Sequence, residues 1–298
     1  MMTLSMIRRN CKLFFKDKGI FFTSLITPLI LLVLYATFLA NVYRDSFLAA
    51  LPQGITLPDE VVNALVGGQL LSSLLAVSSV TVAFCSNMLM VQDKITGAHN
   101  DFLITPLKKS TLALSYYIAT AISTLIISFT ALGICLVYLG IVGWYLTFGD
   151  ILLLILDVFL LTMFGTALSS VINCFLSSQG HISAVGSIVS SGYGFICGAY
   201  MPISSFSEGL QKAVAFLPGT HGTVLLRSHA MRGVFEELEA LGLPDIVITE
   251  TKDAIDCHLY FFDTRVSPFA MYLVLTLAIL AILGIYILLH KYSKKKKG

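Results

Sequence analysis

The sequence predicts an all-α integral membrane protein of six transmembrane helices, with both termini on the cytoplasmic side. Three observations carry this. The first is composition: of 298 residues, 56% are hydrophobic and only 12% charged, about half the charge density of a soluble domain. Mean hydropathy is +0.86. The second is the presence of six apolar runs, at 20–42, 66–91, 111–142, 151–176, 182–200 and 268–290. A helix needs roughly 20 mainly apolar residues to cross a hydrocarbon core about 30 Å thick. The runs do not alternate polar and apolar residues, so they are helices and not barrel strands. The third is charge placement. Five basic residues precede the first run, three lie between the second and third, and five follow the last, so 13 of 19 gather on one side. Basic residues mark the cytoplasmic side.

Residues 1–19 mix basic and apolar side chains. Met6, Ile7, Leu13 and Phe14 form an apolar helical stripe with Arg8, Arg9, Lys12 and Lys16 largely off it, which predicts an interfacial helix. A plain positive flank is the alternative. Span one contains Pro28, and it is too long for a cleaved signal segment. The segment "DKITGAHNDFLITPLKKS" separates spans two and three. Read as a helix, it places Ile95, Phe102 and Leu103 near one face, and Pro106 ends it, because proline disfavours helical geometry in the residue before it. Such a helix, over 92–110, either relays force from a soluble partner to two spans or is an ordinary interfacial loop. Span three is long enough to tilt, and Trp144, Tyr145 and Phe148 at its outer end form an aromatic belt. Span four carries Asp157, the one carboxylate inside a span. As an intramembrane group it would sit neutral, face a polar path or bond to a hydroxyl on a neighbouring span; a later start to span four would make it a snorkelling interfacial residue. Span five is rich in serine and glycine: Ser183, Ser187 and Ser191, with Ser190, Gly194 and Gly198 on a neighbouring stripe. Small residues allow close helix approach, so this span lines a subunit interface or transport path, or packs tightly inside one subunit. The external region, 201–267, is expected to hold a re-entrant helical pair, then a small helix and a β-like stretch at 246–249. The whole chain, 1–298, reads as one domain.

Several function classes have no motif. There is no GxxxxGK[ST] phosphate loop, no GxSxG and no HExxH. The six cysteines include no CxxC pair, so neither a disulfide framework nor a zinc site is supported. The lysine-rich tail beside a span reads as a topology anchor touching anionic lipid and not as a nucleic-acid site.

Three stretches carry a family resemblance. The loop after span two has Asp93, Gly97, Phe102-Leu103 and Thr105-Pro106, with Ala98 where a threonine is usual. The basic N-terminus leads into a span with an internal proline, Pro28, although Lys16-Asp17-Lys18-Gly19 replaces the usual Arg-Asp-Pro. "GAYMPIS" leads on to "LPGTHGTVLLR". In this order the chain resembles the membrane subunit of an ABC-2 type exporter, of the drug-efflux-like branch. The resemblance implies a pair of six-span subunits, a homodimer in preference to a heterodimer, resting on two copies of a separate ATPase subunit that holds ATP and Mg. No cofactor would bind this chain directly, and it would not itself be an enzyme. It implies that the 92–110 helix, through Asp93, Gly97, Phe102, Leu103, Thr105 and Pro106, is the ATPase coupling site. Asp157, Ser183, Ser187, Ser190, Ser191 and Gly194 are candidates for the transport path or subunit interface. The expected function is export of a hydrophobic or amphipathic compound (drug, lipid-like metabolite or peptide toxin) across a bacterial plasma membrane. Export of polysaccharide or glycolipid is the alternative, followed by a secondary transporter or channel. The partners are the ATPase, a second permease subunit and membrane lipid, with no nucleic acid.

Overall fold

The computed structural model describes residues 2–50, 57–105, 108–262 and 264–292. The interfacial helix α1 (Met2–Lys16) ends one residue before Asp17, whose carboxylate caps α2 (Lys18–Leu34) by accepting from the Ile20 amide at 3.2 Å. The helix continues through Pro28 and a π-type turn (Tyr35–Leu39) into α3 (Ala40–Ala50). Next come α4 (Asp59–Ile95), α5 (Ala98–Leu103), α6 (Lys109–Val142), α7 (Phe148–Phe175) and α8 (Gln179–Ile196). A capping box between Thr147 and Asp150 starts α7, and the Ser178 hydroxyl starts α8. Next come α9 (Glu208–Ala215), α10 (Pro218–Ala240), α11 (Asp245–Ala254) and an antiparallel pair, β1 (Tyr260–Phe261) and β2 (Thr264–Arg265). The final helix is α12 (Pro268–Tyr292).

Among the described residues, five helical segments are long and apolar enough to cross a membrane: Lys18–Asp45, Asp59–Ile95, Lys109–Val142, Phe148–Phe175 and Pro268–Tyr292. They correspond to expected spans one to four and six. The run at 182–200 falls on α8, which has 18 residues. Its serines and glycines dilute its hydropathy, and it is not among the five.

The central helix is α4. It packs on α2, α6, α7, α8 and α10, and is buried along almost its whole length. That burial explains why it carries serines on every side and yet is long: protein, not lipid, surrounds it. Against α7, Gly165 lets two backbones meet. A Cβ there would lie 2.8 Å from the Ser79 carbonyl oxygen. The outer faces of α6 and α12 stay apolar and open, with Val137, Ile141, Leu273 and Leu280 exposed. On a membrane protein these are lipid-facing surfaces.

Two expectations are corrected. The stretch 246–249 is not β-like but lies in α11, because Pro244 and Asp245 supply a helix start and Ile248 docks onto Phe235 and Leu238 of α10. Tertiary burial overrides the β-branched propensity. The loop helix is much shorter than 92–110: α4 continues to Ile95, and Gly97 in a left-handed conformation (φ +84°) separates it from the six-residue α5. Pro106 lies outside the described residues, as does the side chain of Leu103.

Candidate functional site

The α4–α6 turn is held by a charged knot. Asp93, in the last turn of α4, is buried. Its carboxylate accepts from Arg9 of α1 through two parallel hydrogen bonds, 2.7 and 2.9 Å, and from the Tyr116 hydroxyl of α6 at 2.5 Å. A bidentate arginine–carboxylate pair fixes orientation as well as distance. It also holds the Arg9 pKa above its ordinary value, chiefly through the hydrogen bond to Asp93. The same guanidinium lies 5.0 Å from the centre of the Phe102 ring on α5. One residue of α1 thus ties together α4 and α5, and the carboxylate it holds ties in α6.

The neighbouring Lys94 points elsewhere. Its ammonium donates to the carbonyls of Cys174 (2.7 Å), Asn173 (3.1 Å) and Leu176 (3.2 Å). These belong to the orphan acceptors at the C-terminus of α7, where a cation also matches the helix dipole. Five residues after Cys174 α8 begins, at Gln179. The end of α4 is therefore strapped to α1 by Asp93 and to the α7–α8 turn by Lys94.

The sequence-predicted residues of this segment divide. Asp93 and Phe102 face inward, Phe102 half-buried beside Met6 and Tyr116. Gly97 supplies the turn. Thr105 donates its hydroxyl to the Phe102 carbonyl at 2.6 Å, closing the end of α5. Among the described residues, the apolar side chains that remain open here are Ile95 and, at 83% exposure, Ile104. The sequence placed Ile95 on the apolar face and missed Ile104, which lies inside the continuous helix expected over 92–110 but just past the end of the shorter α5.

A cavity of about 1000 Å³ opens between α2, α4 and α8. Ser183, Ser187, Ser190 and Ser191 line one wall, facing Ile26, Ile30 and Leu34 of α2 and Met88 and Gln92 of α4. The serine stripe therefore borders open space and not a tight helix contact. Gly194 is not on this wall. It sits under the Tyr200 ring, which a Cβ would meet at 2.3 Å.

Asp157 is apart from both. It is fully buried in α7, with the Tyr272 hydroxyl of α12 donating at 2.5 Å and His229 Nδ1 of α10 at 2.6 Å. The bond to a hydroxyl on a neighbouring span is present, and a histidine is added to it. The histidine signal was illegible, because α10 does not read as a helix that enters the bundle.

The stretch that ends "TVLLR" has a second buried charge. Arg227 of α10 donates to the carbonyls of Gly198 (2.8 Å) and Ile255 (2.9 Å) and to Asp256 Oδ2 (3.2 Å). Asp256 also accepts from the Ile203 and Ser204 amides. Burial pushes the Asp256 carboxyl up, against the opposing pull of Arg227 and the two amides.

The sequence profile of the ABC-2 type transporter family matches residues 2–230. This range covers α1 to most of α10, and with them the Asp93 knot, the Lys94 strap and the serine-lined cavity. No curated protein matches the chain.

Proposed function

The chain belongs to the ABC-2 type transporter family, and we propose that it exports a hydrophobic or amphipathic compound through the α2–α8 cavity, driven by an ATPase docked on α5. Membership makes the chain the membrane permease component of an ABC transporter, a multi-pass protein that works with an ABC ATPase. The finer reading goes further. ATP and Mg act on that partner, which is present in two copies. A second copy of this permease faces the cavity, α8 counts as a sixth span, and both termini lie in the cytoplasm. The cargo belongs to the drug-efflux-like class: a drug, a lipid-like metabolite or a peptide toxin.

The observation that carries the reading is the strapping of the α4–α6 turn. Ile104 offers an exposed apolar knob to a soluble partner. Force on α5 passes through Phe102 and Arg9 to α1, and through Lys94 to the α7–α8 turn, whose continuation is the serine wall of the cavity. A mixed wall of hydroxyls and aliphatic side chains suits an amphipathic cargo. A secondary transporter is disfavoured, since Asp157 is occupied by two donors and stands off the cavity wall.

The test is co-purification of the tagged permease with its ATPase from the native membrane, with ATP hydrolysis and cargo export followed together. Ile104→Asp should abolish docking while Ile246→Asp, equally apolar and exposed but on α11, leaves it intact. Phe102→Asp should weaken docking too, and also lower stability, because that ring is half-buried. Normal ATPase binding and export with Ile104→Asp would sink the docking assignment.

A further inference from the structure

Two hollows on the α1 side of the molecule meet at one side chain. The first is a cleft of about 590 Å³ along α1, lined by Arg8, Cys11, Lys12, Phe15 and Lys16. These positions recur at intervals of three and four, so they form one helical face. The second is a crevice of about 420 Å³ between α2 and α6, with walls that include Leu25, Leu29, Ile126 and Ile134 and with Leu74 of α4 behind them. Phe15 lines both. Thr130, within the crevice, gives its hydroxyl to the Ile126 carbonyl at 2.7 Å, so its polar group is already spent.

The charges of the two faces of α1 differ in their use. Arg9 is consumed by Asp93. Arg8, Lys12 and Lys16 have no carboxylate partner among the described residues. The adjacent carboxylate, Asp17, caps α2 and borders the serine-lined cavity instead. The Cys11 thiol donates to the Ala119 carbonyl, 3.7 Å away. So a cradle of three uncompensated cations opens directly onto an apolar slot in a lipid-facing wall.

We propose that these two hollows form one binding site for an anionic phospholipid, with the phosphate on Arg8, Lys12 and Lys16 and an acyl chain in the α2–α6 crevice. Cations at a membrane surface attract anionic headgroups, and an apolar slot facing hydrocarbon offers water no partners. A second copy of the chain is a poor occupant. A two-fold contact through this face would set Arg8, Lys12 and Lys16 against themselves. The proposal rests on α2 and α6 facing lipid and is independent of the ATPase assignment. Its role follows from position: a lipid wedged there holds α1, and with it the Asp93 knot, against α6.

Native mass spectrometry of the delipidated, detergent-solubilised chain tests this, titrating phosphatidylglycerol against phosphatidylcholine of the same chain length. The wild type should take up one phosphatidylglycerol roughly tenfold or more in preference to phosphatidylcholine. Arg8→Gln/Lys12→Gln/Lys16→Gln should lose the preference yet still bind either lipid weakly. Ala131→Trp, which fills the crevice, should bind neither tightly; Ile134→Trp at the more exposed rim serves if that variant does not fold. Three results overturn the proposal: equal affinity for both lipids in the wild type, a preference that survives the triple substitution, or tight binding by the tryptophan variants. Cross-linking of two chains through Ile126→Cys, with lipid excluded, would assign the crevice to a second copy and equally refute it.

Discussion

Arg227 has no solvent exposure, and its guanidinium is matched by one carboxylate and two carbonyls. Removing one partner of a buried pair leaves the other charge stranded, which costs about 3–5 kcal/mol. Arg227→Met should therefore lower the thermal unfolding midpoint in detergent and expose residues 241–267 to protease. Adding Asp256→Asn should restore part of the loss, and the double-mutant cycle measures how much. No protease sensitivity and no rescue would mean that the external segment is held elsewhere. At this scale the sequence was half legible. Arg227 stood out as the last residue of an apolar stretch, but Asp256, 29 positions later, looked like any acid of an acidic loop. The same holds for Asp157, whose intramembrane placement was visible while His229 and Tyr272 were not. Charges announce themselves by type, but their partners are fixed by tertiary packing, which leaves no local pattern.

The elements were read more fully, because membrane-length apolar runs are strong signals. Four of the five candidate spans lie within a few residues of their expected bounds. The exception is α4, which starts at Asp59 and not near 66: its first turns are mixed in composition but packed under α10, so burial extends the helix past its apolar run. The segment after α4 was misjudged in length because Gly97 was read as one step of a motif and not as a helix breaker. Gly97→Ala forces a side chain into the left-handed region at a cost of roughly 1–2 kcal/mol, although no atom stands in the way of its Cβ. The link from this turn to the cavity is Lys94. Lys94→Met strips one charged donor from three carbonyls and should cost about 2–3 kcal/mol. The expected phenotype is specific: the ATPase still co-purifies and hydrolyses ATP, but cargo export in proteoliposomes falls. Export at the wild-type rate would show that force reaches α8 by another route.

For the molecule as a whole, stability should depend on pH through the histidines of the external half. His221 is buried, with Nε2 2.8 Å from the Ala215 carbonyl and Nδ1 without a partner among the described residues. Burial pulls its pKa below the ordinary imidazole value, and does the same for His258 in spite of Asp253. A base whose pKa is depressed by folding binds its proton more readily in the unfolded chain. Stability is then intact above the usual imidazole pKa, about 6.5, and declines as pH falls through and below it. The unfolding midpoint should drop between neutral and mildly acidic pH, with a shallower drop in His221→Asn. A midpoint flat across that window would contradict the burial argument.

The 37-residue helix α4 is roughly 55 Å long at 1.5 Å per residue, well beyond the hydrocarbon thickness it has to cross. Its two ends are tethered differently. At Asp59 the pairing partner is Arg44, on the surface. At Asp93 and Lys94 the partners are the buried or half-buried groups described above. Because the helix is packed along almost its whole length, a tilt set at its Asp93 end carries its neighbours with it. A tilt of only about 5° at that end displaces the far end by roughly 5 Å. That is enough to shift α10, which rides on it, by about a helical turn's rise. The helix after the α9 turn is thus geared to the α4–α6 turn without any residue in common with it.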